Sequence, residues 1–141
     1  NDQPWSWQNH IKKMMQGRPY KGGREGRMLW NCVDVRDVAR AHRLCIETSK
    51  GTNSSRYILS AADRNGELFT WELQALLSSL FPAVKEIGGE PMSDGVPAKA
   101  TYDAPRAYCL LARQELGLET FDLKTTLRDT VNSFYRLGLI D

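Results

Sequence analysis

The apolar and polar positions along this chain predict helices separated by short strands. Residues 4–16 carry Trp7, Ile11, Met14 and Met15 on one helical face, and Gly17 supplies a C-terminal stop. A glycine- and arginine-rich loop at 17–27 leads into a strand from Met28 to Val35, where Val33 and Val35 alternate with Cys32 and Asp34. Asp37 is placed to cap the next helix, because a carboxylate there accepts from first-turn amides that lack intrahelical partners. Val38, Ala41, Leu44 and Cys45 then recur at helical spacing to about Ser49, with Lys50-Gly51 as the end. Arg56 to Ala61 is a second β-rich run. It is followed by Asp63-Arg64-Asn65-Gly66, turn chemistry in which Asn-Gly accommodates positive φ.

In the second half, Thr70 is the expected cap of a helix to Leu80, with Glu72 in the first turn where the macrodipole favours an anion. Trp71, Leu73, Ala75, Leu76, Leu77 and Leu80 make that helix apolar nearly all round, so burial on more than one side is expected, a partner outside the chain included. Residues 83–101 are rich in proline and glycine, with short strands expected at Val84–Ile87 and Ala100–Tyr102. Asp103 and Pro105 open a helix that reaches Leu116-Gly117. A last helix from Thr125 to Leu137 puts Leu127, Val131, Phe134 and Leu137 on one stripe, closed by Gly138.

Three elements in this order carry a family pattern: Val33-Asp34-Val35-Arg36-Asp37, then Asp37-Val38-Ala39-Arg40-Ala41-His42, then Arg56-Tyr57-Ile58. They resemble the V-x-V-x-D, D-[VL]-x-x-A-H and R-Y-[IL] elements in the C-terminal half of extended short-chain dehydrogenase/reductases of the NAD-dependent epimerase/dehydratase superfamily. The branch nearest in pattern holds dihydroflavonol reductase and cinnamoyl-CoA reductase. Asp103 to Gly117 is similar to that family's D-x-x-[KR]-x-x-x-x-L-G element, somewhat stretched. The resemblance implies an α/β fold: the C-terminal substrate-binding portion of a Rossmann-type enzyme, mainly helical with short strands. In it Arg56–Ser60 would join the main parallel sheet, and Leu29–Val35 would lie in a small side sheet near Ala100–Tyr102.

Two features of that family are missing from the chain. A dinucleotide needs a glycine-rich turn between a strand and a helix, where backbone amides reach the pyrophosphate. Gly22-Gly23-Arg24-Glu25-Gly26 follows a helix and precedes a strand, so it reads as a loop. The family's Tyr-x-x-x-Lys pair is also absent, since Arg24, Ala61, Arg106 and Ala112 stand four positions after Tyr20, Tyr57, Tyr102 and Tyr108. Residues 1–141 are therefore expected to be the substrate-binding part of a reductase whose N-terminal dinucleotide-binding half lies elsewhere. The cofactor, NAD or NADP, would belong to the intact parent and not to this chain alone. In the parent, the resemblance implies, a lysine-activated tyrosine protonates a carbonyl or thioester-type substrate while the cofactor delivers hydride.

A net charge of +2 gives no long-range field for nucleic acid, and no apolar run has the length of a membrane span. Arg18, Lys21, Arg24 and Arg27 cluster in the loop, either solvated or facing a phosphate-bearing cofactor or CoA-type substrate. Cys32, Cys45 and Cys109, odd in number and in apolar contexts, fit reduced buried thiols in an intracellular, cytoplasmic setting, with any organelle-targeting segment upstream of Asn1. No Cys/His spacing suits zinc. His42 reads as a packing histidine, and Asp34 with Arg36 as a structural ion pair.

The candidate substrate-facing residues are Arg27, Met28, Trp30 and Asn31, with Tyr102 beside them. The resemblance implies that residues just before the V-x-V-x-D strand line the substrate pocket. Several sugar-nucleotide epimerases have a diphosphate-gripping arginine at the position held here by Trp30. An indole there points to a flat apolar or aromatic substrate. The expected partners are the missing half, a small-molecule substrate and, in a second reading, a larger assembly in which a reductase-like subunit has lost its chemistry. A third reading is a small binding domain unrelated to reductases.

Overall fold

A computed structural model describes residues 7–18, 29–48, 55–62, 66–84, 87 and 109–141. The elements are α1 (Trp7–Met15), β1 (Leu29–Asn31), α2 (Val35–Glu47), β2 (Glu67–Phe69), α3 (Thr70–Leu80), α4 (Leu110–Leu116) and α5 (Leu123–Arg136). β1 and β2 pair in a two-stranded sheet. The expected strands at Val84–Ile87 and Ala100–Tyr102, the start of the Asp103 helix and the glycine cluster at 22–26 lie largely or wholly outside the described residues. The chain divides into two compact units, one of residues 1–29, 68–100 and 127–141, the other of residues 30–67 and 101–126.

The first unit buries the apolar faces of its helices. From α1 it takes Ile11 and Met14, from α3 Leu73 and Leu77, and from α5 Leu127, Val131 and Phe134, with Leu68 and Ile140. α1 ends where Gly17 takes a left-handed φ of 68°. α3 differs from expectation at its start, because Thr70 is its first residue and is buried, while Phe69 is the N-cap. A phenyl ring accepts no hydrogen bond. Glu72 instead reaches back, its carboxylate accepting the Phe69 amide at 2.8 Å. Leu73 and Leu77 are fully covered by their own chain, while Trp71, Leu76 and Leu80 are half-buried and Ala75 is exposed. The stripe of α5 stops one turn early. The helix ends at Arg136, Gly138 turns at φ 63°, and Leu137 is exposed.

The second unit packs α2 and α4 around Ala41, Ala112, Leu116 and Leu118, with Leu44, Tyr57 and Leu59 against them. α4 closes on Gly117, whose left-handed φ of 65° lets its amide reach back to Arg113. The predicted strand over 28–35 is shortened to three residues, and α2 begins at Val35, not Val38. The N-cap is Asp34, not Asp37: its carboxylate accepts the Arg36 amide at 2.9 Å. A nearby capping carboxylate outweighed the β-branched alternation of Val33 and Val35.

Gly66 sits at φ 71°, as Asn-Gly implied, and its carbonyl accepts the Cys32 amide at 2.9 Å. β1 therefore pairs with β2, an element the amino-acid pattern did not mark.

Arg56–Ala61 forms no ladder with any described residue, contrary to the strand expected there. It is nonetheless strand-like in its burial: Tyr57 and Leu59 face the core cluster, while Arg56 and Ile58 point outward. Among the described residues, the main-chain groups of 56–59 have no hydrogen-bond partner. From Ser60 to Ala62 each amide is anchored. The Ser60 amide donates to Cys109 Sγ, that of Ala61 to the Cys32 carbonyl, and that of Ala62 to the Phe121 carbonyl.

Candidate functional site

The predicted pocket residues fare unequally. Arg27, Met28 and Tyr102 lie outside the described residues. Trp30 and Asn31 are successive residues of β1, so the pleat sends them to opposite sides: Trp30 is buried, only 3% exposed, and Asn31 is exposed.

Among the described residues of the second unit, a dense polar arrangement surrounds the start of α2. Arg36 grips Asp34 bidentately, Nε to Oδ1 at 2.9 Å and Nη2 to Oδ2 at 2.7 Å. The ion pair expected from the strand pattern thus exists, but as an N-cap gripping the second helical residue. These hydrogen bonds hold the Asp34 carboxyl below the usual carboxylate range, against the opposing effect of burial.

Asp37, one turn in, is fully buried and accepts the Phe121 amide at 2.8 Å. Burial pushes its pKa up, the Phe121 amide opposes that, and the neighbouring Asp34 charge adds to the rise. Arg40 donates to the Glu119 carbonyl at 2.7 Å. Both guanidiniums lie over the Phe121 ring, at 4.1 Å for Arg36 and 5.8 Å for Arg40. Asp122 then caps α5, accepting the Thr125 amide at 2.6 Å.

The result is a latch joining the first turn of α2 to residues 118–122. The Asp34 carboxylate is taken at both oxygens by Arg36. Asp37 gives Oδ2 to the Phe121 amide and keeps Oδ1 buried without a hydrogen bond, 4.0 Å from Arg40 Nη1, an arrangement that suits holding the chain. Sequence reading found the Asp34–Arg36 half. It missed Phe121, whose role depends on contacts across 84 positions of chain.

Two further polar contacts secure the extended segment. Tyr57 donates to Glu115 Oε2 at 2.6 Å, which raises the phenol pKa, since the hydrogen bond is lost when the phenol ionises. Ser60 Oγ lies 3.3 Å from Cys109 Sγ. Cys32 and Cys109 are buried as expected, whereas Cys45 is exposed.

α2 also carries an unexpected outer stripe. Val35, Ala39, His42 and Ile46 follow one another at four, three and four residues, so they share a face. All four are exposed, Val35 at 77% and Ile46 at 87%. His42 is therefore not a core histidine. Its Nδ1 lies 2.8 Å from the Val38 carbonyl. Ile58 and Leu110 add exposed apolar side chains, at 61% and 49%.

A nicotinamide dinucleotide does not fit either described strand-to-helix junction. The β1-to-α2 turn, Cys32-Val33-Asp34, has no glycine, and the Asp34 carboxylate takes the Arg36 amide and places a negative charge where a pyrophosphate would lie. At α3 the Glu72 carboxylate lies at the first turn. Among the described residues, no cluster of three or more His, Cys, Asp or Glu side chains could hold a metal ion, and no helix is long and apolar enough to cross a membrane.

Comparison with known proteins bears on the fold. The chain aligns over 92% of its length with the Bordetella bronchiseptica enzyme WbmF in complex with NADH, at a TM-score of 0.63 and 21% identity, covering 36% of that chain. Against the same enzyme in complex with NAD+ and UDP the TM-score is 0.59 at 20% identity, with 92% of this chain and 37% of the other covered. The chain thus spans little more than a third of the length of the structures it resembles. No family model and no curated protein matches it. What these likenesses establish is the fold: an α/β chain, mainly helical with short strands, of the Rossmann-type kind.

Proposed function

We propose that residues 1–141 form the C-terminal, substrate-binding part of an NAD(P)H-dependent extended short-chain dehydrogenase/reductase, with the nucleotide cradle and the reacting groups on other polypeptide. The observation that carries this is the extended segment at 56–59. Its inner face covers a core, yet its outer face shows Ile58 and its main-chain donors and acceptors are unpaired among the described residues. Main-chain groups of a strand call for a neighbouring strand, and a strand of a parallel sheet is covered on both faces.

The outer stripe of α2, on the side of that helix away from the core that Tyr57 and Leu59 cover, is a separate exposed apolar surface for docking, about 16 Å long at 1.5 Å per residue. The fold shared with an NADH-bound enzyme, of which this chain spans 36%, supports the same parent.

The substrate follows from the β1 region. Trp30 stands where several sugar-nucleotide epimerases carry an arginine. Being buried, it acts by withholding that charge, which favours a flat apolar or aromatic carbonyl or thioester compound, as in the dihydroflavonol and cinnamoyl-CoA reductase branch, with Arg27, Met28, Tyr102 and the exposed Asn31 as the proposed pocket residues. A nucleoside-diphosphate substrate is the second reading, favoured by the UDP complex of the fold neighbour. No chemical step is assigned to a side chain of these residues. They wall the pocket.

The test compares these 141 residues with the longer polypeptide that contains them. Calorimetry should show NADPH or NADH binding to the longer protein and none to the chain alone. Amides 56–59 should exchange fast in the chain and slowly in the longer protein. Ile58→Asp should leave the melting of the chain unchanged and cut the soluble yield of the longer protein. Micromolar cofactor binding by the 141 residues, or equal exchange in both proteins, overturns the proposal. Protected amides without reductase activity would instead favour the silent structural subunit.

A further inference from the structure

We draw no further inference here: the strongest candidate, the exposed stripe Val35, Ala39, His42 and Ile46 on the outer face of α2, belongs to the docking surface already described, and nothing in the structure shows a second occupant for it.

Discussion

Replacing Gly66 by alanine should be the most damaging single change that adds one carbon to the second unit. The residue is left-handed at φ 71°, a conformation that costs an L residue about 1–2 kcal/mol. The added Cβ would lie 2.0 Å from the Cys32 carbonyl oxygen and 3.0 Å from the Cys32 amide nitrogen. These are main-chain atoms, so no side chain can rotate away to relieve the clash. Moving the two strands apart strains the packing by about 1–3 kcal/mol and weakens the Cys32–Gly66 hydrogen bond, worth about 1 kcal/mol. The sum is about 3–6 kcal/mol, a large part of the stability of a domain this size.

Gly117 is the control, because it has a similar φ of 65° and nothing within 4 Å of its would-be Cβ. Gly117→Ala should lose only about 1–2 kcal/mol. Urea unfolding followed by tryptophan fluorescence reads both, with Trp30 beside the affected pairing. Failure of Gly66→Ala to fold, while Gly117→Ala folds, agrees with the reasoning. Equal losses in the two variants, within 1 kcal/mol, would refute it.

The two aspartates of the α2 latch should respond to acid with opposite sign. The lowered pKa of Asp34 contributes stability that is present above the ordinary carboxylate value of about 3.9 and is lost as pH falls through the native value. The raised pKa of Asp37 favours folding below that ordinary value, an advantage lost as pH rises through its native value. Urea midpoints from pH 3 to 6 should therefore fall less steeply on acidification in Asp34→Asn than in the parent chain, and more steeply in Asp37→Asn. In the first unit, Leu77→Ala should cost about 2–5 kcal/mol, whereas the exposed Ile46→Ala should move the midpoint by less than about 0.5 kcal/mol. Tyr57→Phe removes the 2.6 Å bond to Glu115 and should shift the urea midpoint slightly downward, with no such shift when the same change is made in a chain carrying Glu115→Gln.

The amphipathic repeats of this chain were enough to place α1 and α5, because helical periodicity and glycine stops are local properties, whereas α4 is helical among the described residues only from Leu110, the expected start at Asp103 lying outside them. α1 with its Ile11–Met14 face and α5 with Leu127, Val131 and Phe134 stand where the pattern placed them. The Asp34–Arg36 pair was legible too, since two residues suffice to make it. What local pattern could not decide was which of Asp34 and Asp37 would cap α2. That depended on Phe121, whose amide claims the Asp37 carboxylate, leaving Asp34 to begin the helix.

Strand content was equally a tertiary matter. A β-rich run such as Arg56–Ala61 becomes a strand only when another main chain lies beside it, whereas Glu67–Phe69, without any clear alternation, became one because Gly66 brought it to Cys32. Exposure followed the same logic. Val35, His42 and Ile46 look like core positions in a helical wheel, but only the placement of α4 on the opposite face of α2 leaves them uncovered. Periodicity names the faces a helix has, and packing chooses which of them is filled.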